Sequence, residues 1–362
     1  METRPILPSF NTKNGIEFGI YTLGDHLPNP QTDELIPASQ RIEEIIELAK
    51  FAEDLGFDIF QVGESHQEHF ISQAHFIILA AIARETKNIK LSSAVTTISV
   101  LDPVRVFEDA ATIDLLSNGR MEIIAGRASR IGSFDLYGYD PKDYEELFEE
   151  KLELLLKINQ NEIVDWSGKF RPALKNAQIL PRPENPRKGI PIWRGVGNSP
   201  SSAIKAGRLG IPLFQAHLAG AAQTYQNRIR HYKEAGDEAG FSEEELIVGT
   251  GGILYLAETT EEAFKTAYPH FNAGFQLTNG QDFPKRGFAQ GKSSKSVTLI
   301  GSPELVTKKM IHQYDLFKQQ RFTIEADFGG LPLDEVKRSL TIFAEEVMPK
   351  VIKHIKKDKG IN

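Results

Sequence analysis

Three short runs carry the side chains best suited to chemistry. GESHQEHF (Gly63–Phe70) crowds Glu64, His66, Glu68 and His69 into one stretch. A carboxylate beside an imidazole is an acid–base pair, whereas a metal would need more ligands in fixed geometry than this run clearly supplies. AGRASR (Ala125–Arg130) sets Arg127 and Arg130 among the small residues Ala128 and Ser129. A guanidinium there can grip a phosphate bidentately, or pair with a carboxylate such as Asp135. GVGNSPSSAIKAG (Gly195–Gly207) places Gly197, Asn198, Ser199 and Ser201 in a turn that opens a helix. Free amides and hydroxyls at such a turn cradle a phosphate, and Ser199 followed by Pro200 equally suits a plain N-cap. A fourth run, LSSAVTTISVLDP (Leu91–Pro103), is rich in small residues, leaving room for a flat ring or simply packing a rim.

These runs need a scaffold that brings them together. Short β-rich segments alternate with longer amphipathic ones: strands at Glu17–Thr22, Phe57–Val62, Ile89–Val95, Met121–Gly126, Ile190–Val196, Pro212–Ala216, Ile247–Ala257 and across RFTIEADF (Arg321–Phe328). Helical spacing of Ile42, Ile45, Ile46, Leu48, Ala49 and Ala52, ended by Gly56, marks the first crossover. Eight such units with strands apolar on both faces predict an α/β (β/α)8 TIM barrel spanning 1–362 as one domain. The rhythm loosens after the fourth strand, where an acidic helix and a hairpin at IVDWSGKFRPAL read as an insertion. It loosens again within the seventh unit, where polar, glycine-containing residues 270–296 read as a lid or interface loop. In a barrel the chemistry sits at the strand exits, which is where all four runs fall.

Composition narrows the function. The 362 residues carry a net charge of −7 with acidic and basic residues interspersed, so no footprint for nucleic acid is present; only the tail, about 350–362, is basic. No cysteine occurs, which excludes disulfides, thiolate catalysis and cysteine-ligated metal. Redox chemistry would therefore belong to a bound group. No apolar leader opens the chain and no run approaches the roughly 20 apolar residues of a membrane helix, so a cytoplasmic protein with no membrane partner is expected.

The same residues resemble a known family. GESHQ after the second strand is similar to the Glu-His-His motif of the bacterial luciferase-like flavin monooxygenases. The likeness continues through DPVRVFEDAATIDLLSNGRMEIIAGRAS, GSFDLYGYDPKDYEELFEEKLELLL, PIWRGVGNSPSSAIKAGRLG, GSPELV and SLTIFAEEVMP, covering nearly the whole chain. The resemblance implies FMN with its ring over the third strand's end, at a non-proline cis peptide matching Ala94–Val95. It implies a phosphate held by Arg127 and Ser129 on one side and Gly197, Asn198, Ser199 and Ser201 on the other. Glu64 matches the glutamate of the catalytic motif and His66 its second histidine, while Ser65 stands where the family has its first histidine. GRASR likewise replaces the usual GRGSF. The expected activity is oxidation of a small organic substrate by reduced FMN and dioxygen, with electrons from NAD(P)H directly or through a partner flavin reductase. His66, Glu64 or Asp25 would manage protons, and the segment Gly274–Lys295 would close over the site. A deazaflavin- or nicotinamide-linked dehydrogenase and a non-catalytic flavin-binding protein are the alternatives. The resemblance also implies a homodimer through the helices at His75–Ala83 and Val104–Leu116.

Overall fold

The computed structural model describes residues 4–10, 13–127, 132–184 and 189–361. Strand β1 (Glu17–Thr22) leads through helix α1 (Ala38–Asp54) to β2 (Ile59–Val62), then α2 (His75–Glu85) and β3 (Lys90–Ser93), prolonged by the two-residue β4 (Thr96–Thr97). Helix α3 (Pro103–Leu116) precedes β5 (Met121–Gly126), short helix α4 (Gly132–Tyr137), α5 (Tyr144–Gln160) and a hairpin of β6 (Ile163–Trp166) and β7 (Leu174–Gln178). Then follow β8 (Ile192–Val196), α6 (Pro200–Arg208), β9 (Leu213–His217), α7 (Gln223–Glu238), β10 (Val248–Leu256), α8 (Thr260–Asn279) and α9 (Lys285–Ala289). The chain ends with β11 (Leu299–Gly301), α10 (Pro303–Phe317), β12 (Arg321–Glu325), α11 (Leu333–Ile342) and α12 (Met348–Lys359).

Eight strands close into a parallel ring in the order β1, β2, β3, β5, β8, β9, β10, β12 and back to β1. This is the TIM barrel that the alternation predicts. Each outer helix buries one stripe against it: Ile45, Leu48, Ala49 and Ala52 on α1, and Val106, Phe107, Ala110 and Ala111 on α3. Asp102 starts α3 by accepting a 2.8 Å bond from the Val104 amide, with Pro103 at the first helical position.

The floor of the barrel is ionic. Arg321, fully buried, donates to Glu17 at 2.7 and 3.0 Å and to Glu122 at 2.6 and 3.0 Å, and the Trp193 indole adds a 2.8 Å bond to Glu122. Gly249 and Gly251 on β10 leave space for Trp193 and Phe214, which a Cβ would meet at 3.0 to 3.1 Å. The N-terminal end is thus plugged, and the open volume lies at the strand exits.

Two expectations need correction. Helix α5 is not part of the insertion: it buries Leu147, Phe148, Leu152 and Leu155 as the crossover helix of the fourth unit, so only α4 before it and the β6–β7 hairpin after it are added. The polar stretch after His270 is not a loop at its start, because α8 runs on through Pro269 to Asn279 and ends at Gly280 in the left-handed region, φ 70°. Phe264, Tyr268, Phe271, Phe283 and Phe288 pack there ring on ring. The chain closes with α11 and α12 joined by a π turn at Phe343–Val347.

Candidate active site

A cavity of about 580 Å³ opens at the strand exits, within the range of about 300 to 1,000 Å³ usual for small-molecule sites. Glu64, Ser65, His66, Ala94, Val95, Arg127, Gly197, Asn198 and Ser199 all reach its wall. The exits of seven strands, β1, β2, β3, β5, β8, β9 and β12, converge on it.

Gly63 makes the first convergence possible. A Cβ there would lie 2.5 Å from the Ala94 carbonyl, so only glycine lets the β2 exit approach the β3 exit this closely. The Glu64 amide then donates to Val95 O at 3.1 Å. Ala94–Val95 is a cis, non-proline peptide. Val95 lies across the ends of β5 and β8, where a Cβ on Gly126 would stand 2.3 Å from its side chain and one on Gly195 3.1 Å away. The result is a flat apolar patch with no side chain rising from either neighbouring strand.

The Glu64 carboxylate accepts from the Thr97 amide at 2.8 Å, from the Thr97 hydroxyl, and from His66 Nε2 at 2.6 Å; His75 Nδ1 is 3.7 Å off. Burial alone would raise its pKa, but the bond from His66, the charge of His75 and the two Thr97 bonds outweigh it and hold the carboxyl below its ordinary value. His75, buried beneath, is pushed down to about 4, mainly by burial and against the pull of Glu64. Glu68 and His69 do not line the cavity, and His69 instead lies against Phe70 with ring centroids 4.6 Å apart. No cluster of three or more metal-binding side chains occurs among the described residues.

At the opposite wall Arg127 donates to Glu145 at 2.7 Å and to the Ser202 hydroxyl at 3.1 Å, over the Phe148 ring at 4.9 Å. Its Nε is buried and meets no partner among the described residues, an orphaned donor at a cavity wall. Ser199 occupies the N-cap of α6 with Pro200 behind it, yet its side chain makes no capping bond and instead pairs with the exposed Ser201 hydroxyl at 2.7 Å. The helical turn carries the next serine inward: Ser202 is buried and takes a second bond, 3.0 Å, from Arg194. Arg194 is fully buried and bidentate on Glu149. Burial would raise the Glu149 pKa, but Arg194 and Lys205 outweigh it and hold it low. Ser129, with Ala128 and Arg130, lies outside the described residues.

No motif marks Ser202, Arg194, Glu145, Tyr21 or Glu325, which the fold brings to the cavity or directly behind its wall. The last two close the cavity on the β1 and β12 side, side by side and each 5% exposed. Glu325 was within reach as the final residue of its strand. Asp25 faces away: it accepts from the Gly329 amide at 2.7 Å and borders a second cavity with Arg41 and Asp327. The expected lid also misses the site, since no residue of Gly274–Lys295 lines it; that segment borders a third cavity with Phe271, Phe283 and Phe288. No described helix is long and apolar enough to cross a membrane.

The family model for the luciferase-like monooxygenases matches residues 16–318. The oxygenase component of the flavin-dependent trigonelline monooxygenase of Acinetobacter baylyi is 22% identical, over 92% of this chain and 95% of that one. The F420-dependent glucose-6-phosphate dehydrogenase of Amycolatopsis mediterranei is 27% identical, over 85% and 94%. Among solved structures, the oxygenating constituent of 3,6-diketocamphane monooxygenase from Pseudomonas putida, in complex with FMN, superimposes with a TM-score of 0.74 at 19% identity, covering 93% of this chain and 99% of that one.

Proposed function

Because the chain belongs to the luciferase-like monooxygenase family, we propose that it is a cytoplasmic flavin-dependent monooxygenase that uses reduced FMN and dioxygen to oxidise a small organic substrate at the strand exits. The observation that carries this reading is one cavity with an arginine bearing a spare buried donor, a helix-opening turn beside it, and a flat glycine-flanked patch between that wall and an imidazole–carboxylate pair. FMN fits this donor set: Arg127, the amides of Gly197–Ser199 and the hydroxyls of Ser199 and Ser202 would hold its phosphate. When bound, reduced FMN supplies the electrons that activate dioxygen. Ala94 and Val95 support a planar ring, and Leu23, Phe70 and Phe214 keep water from it.

Glu64 fixes the imidazole of His66 by taking its Nε2 proton in a hydrogen bond, which leaves Nδ1 as the ring's acceptor. With its Nε2 proton held by Glu64, His66 can take a proton at Nδ1 and return it. Electrons come from NAD(P)H, directly or through a partner flavin reductase, and the protein works as a homodimer.

Fluorescence titration of FMN, followed by oxygen uptake with chemically reduced FMN, tests the reading. Saturable binding that is lost on replacing Arg127 is expected; no binding of FMN would overturn it. A dehydrogenase using F420 is the second reading, favoured by the relative that carries that dependence in its name. Tight binding of F420 with no oxygen uptake would select it.

A further inference from the structure

Three carboxyls line the main cavity, and two of them are already paired: Glu145 with Arg127, and Glu64 with His66 and Thr97. Glu325 is the exception. It is 5% exposed, its nearest polar neighbour across the cavity wall is the Tyr21 hydroxyl, and no lysine, arginine or histidine among the described residues forms an ion pair with it. Three other deeply buried carboxylates have a cation: Glu17 and Glu122 share Arg321, and Asp327 has Arg41 at 2.5 Å. Buried charge in proteins is paired, so an unmatched buried carboxyl that faces an open cavity points to a partner brought by the ligand.

The charges around Glu325 fix the sign of that partner. On β1 stand Tyr21 and, just beyond, Asp25; on the exit of β12 itself stands Asp327, whose charge Arg41 of α1 offsets. Strand β10 alongside offers only Gly251 to Ile253, none of them titratable, and His270 of α8 is occupied with the Gly329 carbonyl. The field at this end is negative. Burial first, and then the charges of Asp25 and Asp327, raise Glu325 well above the usual carboxyl range, so it carries a proton until something positive arrives. Position separates this end from the phosphate cradle: in the ring order β12 and β1 stand opposite β5 and β8. The walls between are apolar, from Leu23, Phe70, Phe214 and Val95.

We propose that the cavity takes an organic substrate bearing a basic nitrogen, with its ammonium seated on Glu325 and Tyr21 at the end opposite the Arg127 cradle. This rests on the reading of the cavity as the oxidoreductase site and adds the substrate class to it. Binding then exchanges one positive charge for another: the carboxyl gives up its proton to solvent as the alkylammonium arrives, with no covalent change. One proton is released per ligand bound, and affinity rises with pH up to about tenfold per unit while Glu325 is protonated in the free protein.

The test is calorimetric titration of the full chain, with and without FMN, using n-hexylamine and 1-hexanol as probes of equal length. The amine is expected to bind at least about tenfold more tightly than the alcohol, with proton release seen as a buffer-dependent enthalpy, and E325Q to lose both while still binding FMN. Equal binding of amine and alcohol, or an amine preference that survives in E325Q, overturns the proposal. Should E325Q not fold, the wild-type comparison of the two probes and its pH dependence decide alone. Failure to bind FMN would sink the flavin reading and leave the amine result standing on the protein without it; FMN binding with no preference for the amine would sink only this inference.

Discussion

Arg127 and Glu145 meet in an ion pair 2.7 Å long at the rim of the main cavity, with the arginine side chain 12% and the glutamate 54% exposed. A half-exposed partner contributes little, about 0 to 1 kcal/mol, so the arginine can exchange it for a phosphate at small cost. Arg127→Ala should raise the FMN dissociation constant about 10- to 100-fold, the worth of about 1.5 to 3 kcal/mol for a charge-assisted hydrogen bond. Glu145→Gln should lower it a few-fold, because the competing carboxylate is gone. Fluorescence titration at fixed ionic strength measures both, and a Glu145→Gln variant that binds FMN more weakly would contradict the exchange.

His66 and Glu64 form the second testable pair. If His66 manages the proton of the reaction, His66→Gln should lower kcat by about 100-fold or more while changing FMN affinity less than about twofold. Glu64→Gln should act in the same direction through the imidazole and also disturb the Thr97 bonds that hold the loop. Steady-state oxygen uptake across pH separates the two roles. Unchanged kcat in His66→Gln would remove the imidazole from the chemistry.

The barrel was legible because its signals are local and periodic. The stripe of Ile45, Leu48, Ala49 and Ala52 marked α1, and alternating strand and helix signals marked the closed ring. The Arg127 and Gly197 ends of the site were legible for the same reason, since exits of neighbouring strands must lie side by side. Ser202 was not, because choosing it over Ser201 depends on the angle at which α6 leaves its turn. Glu145 and Arg194 are pairings across tens of residues, which no local spacing records. The helical continuation past His270 had a signal that polar composition hid: Phe264, Tyr268, Phe271 and Phe275 recur at three- and four-residue steps, and the proline between them weighed against a helix.

At the other end of the barrel Arg321 holds Glu17 and Glu122 together with no exposure of its own. Removing the cation leaves two carboxyls buried without it, so Arg321→Met should cost about 3 to 5 kcal/mol of unfolding free energy. Adding Glu122→Gln should restore part of that loss by removing one stranded charge. Urea denaturation of the single and double variants gives the values, and a double variant less stable than the single would contradict the ionic account.

Helices α2 and α3 leave Ile77 72% exposed, with Leu115 and Leu116 42% and 37% exposed. If the protein is a homodimer through these helices, Ile77→Glu places a charge in the interface and should yield monomers at micromolar concentration with unfolding free energy within about 0.5 kcal/mol of the monomeric barrel's own. Light scattering behind size exclusion reads the mass directly. A variant that keeps the wild-type mass would place any dimer contact elsewhere.

His75 gives the stability curve an acid limb. Its imidazole is buried against Thr96, at 2.9 Å, and pushed down to about 4 from its ordinary 6.5, chiefly by burial. Between those values the unfolded chain binds a proton at this position that the folded one refuses, so the share of stability that His75 controls falls as pH drops from about 6.5 toward 4, while Glu325, raised above the ordinary carboxyl range, acts in the opposite sense equally in wild type and variant. The loss amounts to about 2 kcal/mol between pH 7 and pH 5 from this residue alone. His75→Gln removes the titration and should flatten that limb by the same amount, while costing about 1 kcal/mol at pH 7 for the disturbed hydrogen bond. Glu64, whose pKa is held low, adds to the acid loss only below the ordinary carboxyl range, which keeps the window from pH 5 to 7 clear of it. Urea unfolding at both pH values decides the matter: equal slopes in wild type and His75→Gln would mean that this histidine is charged in the folded protein.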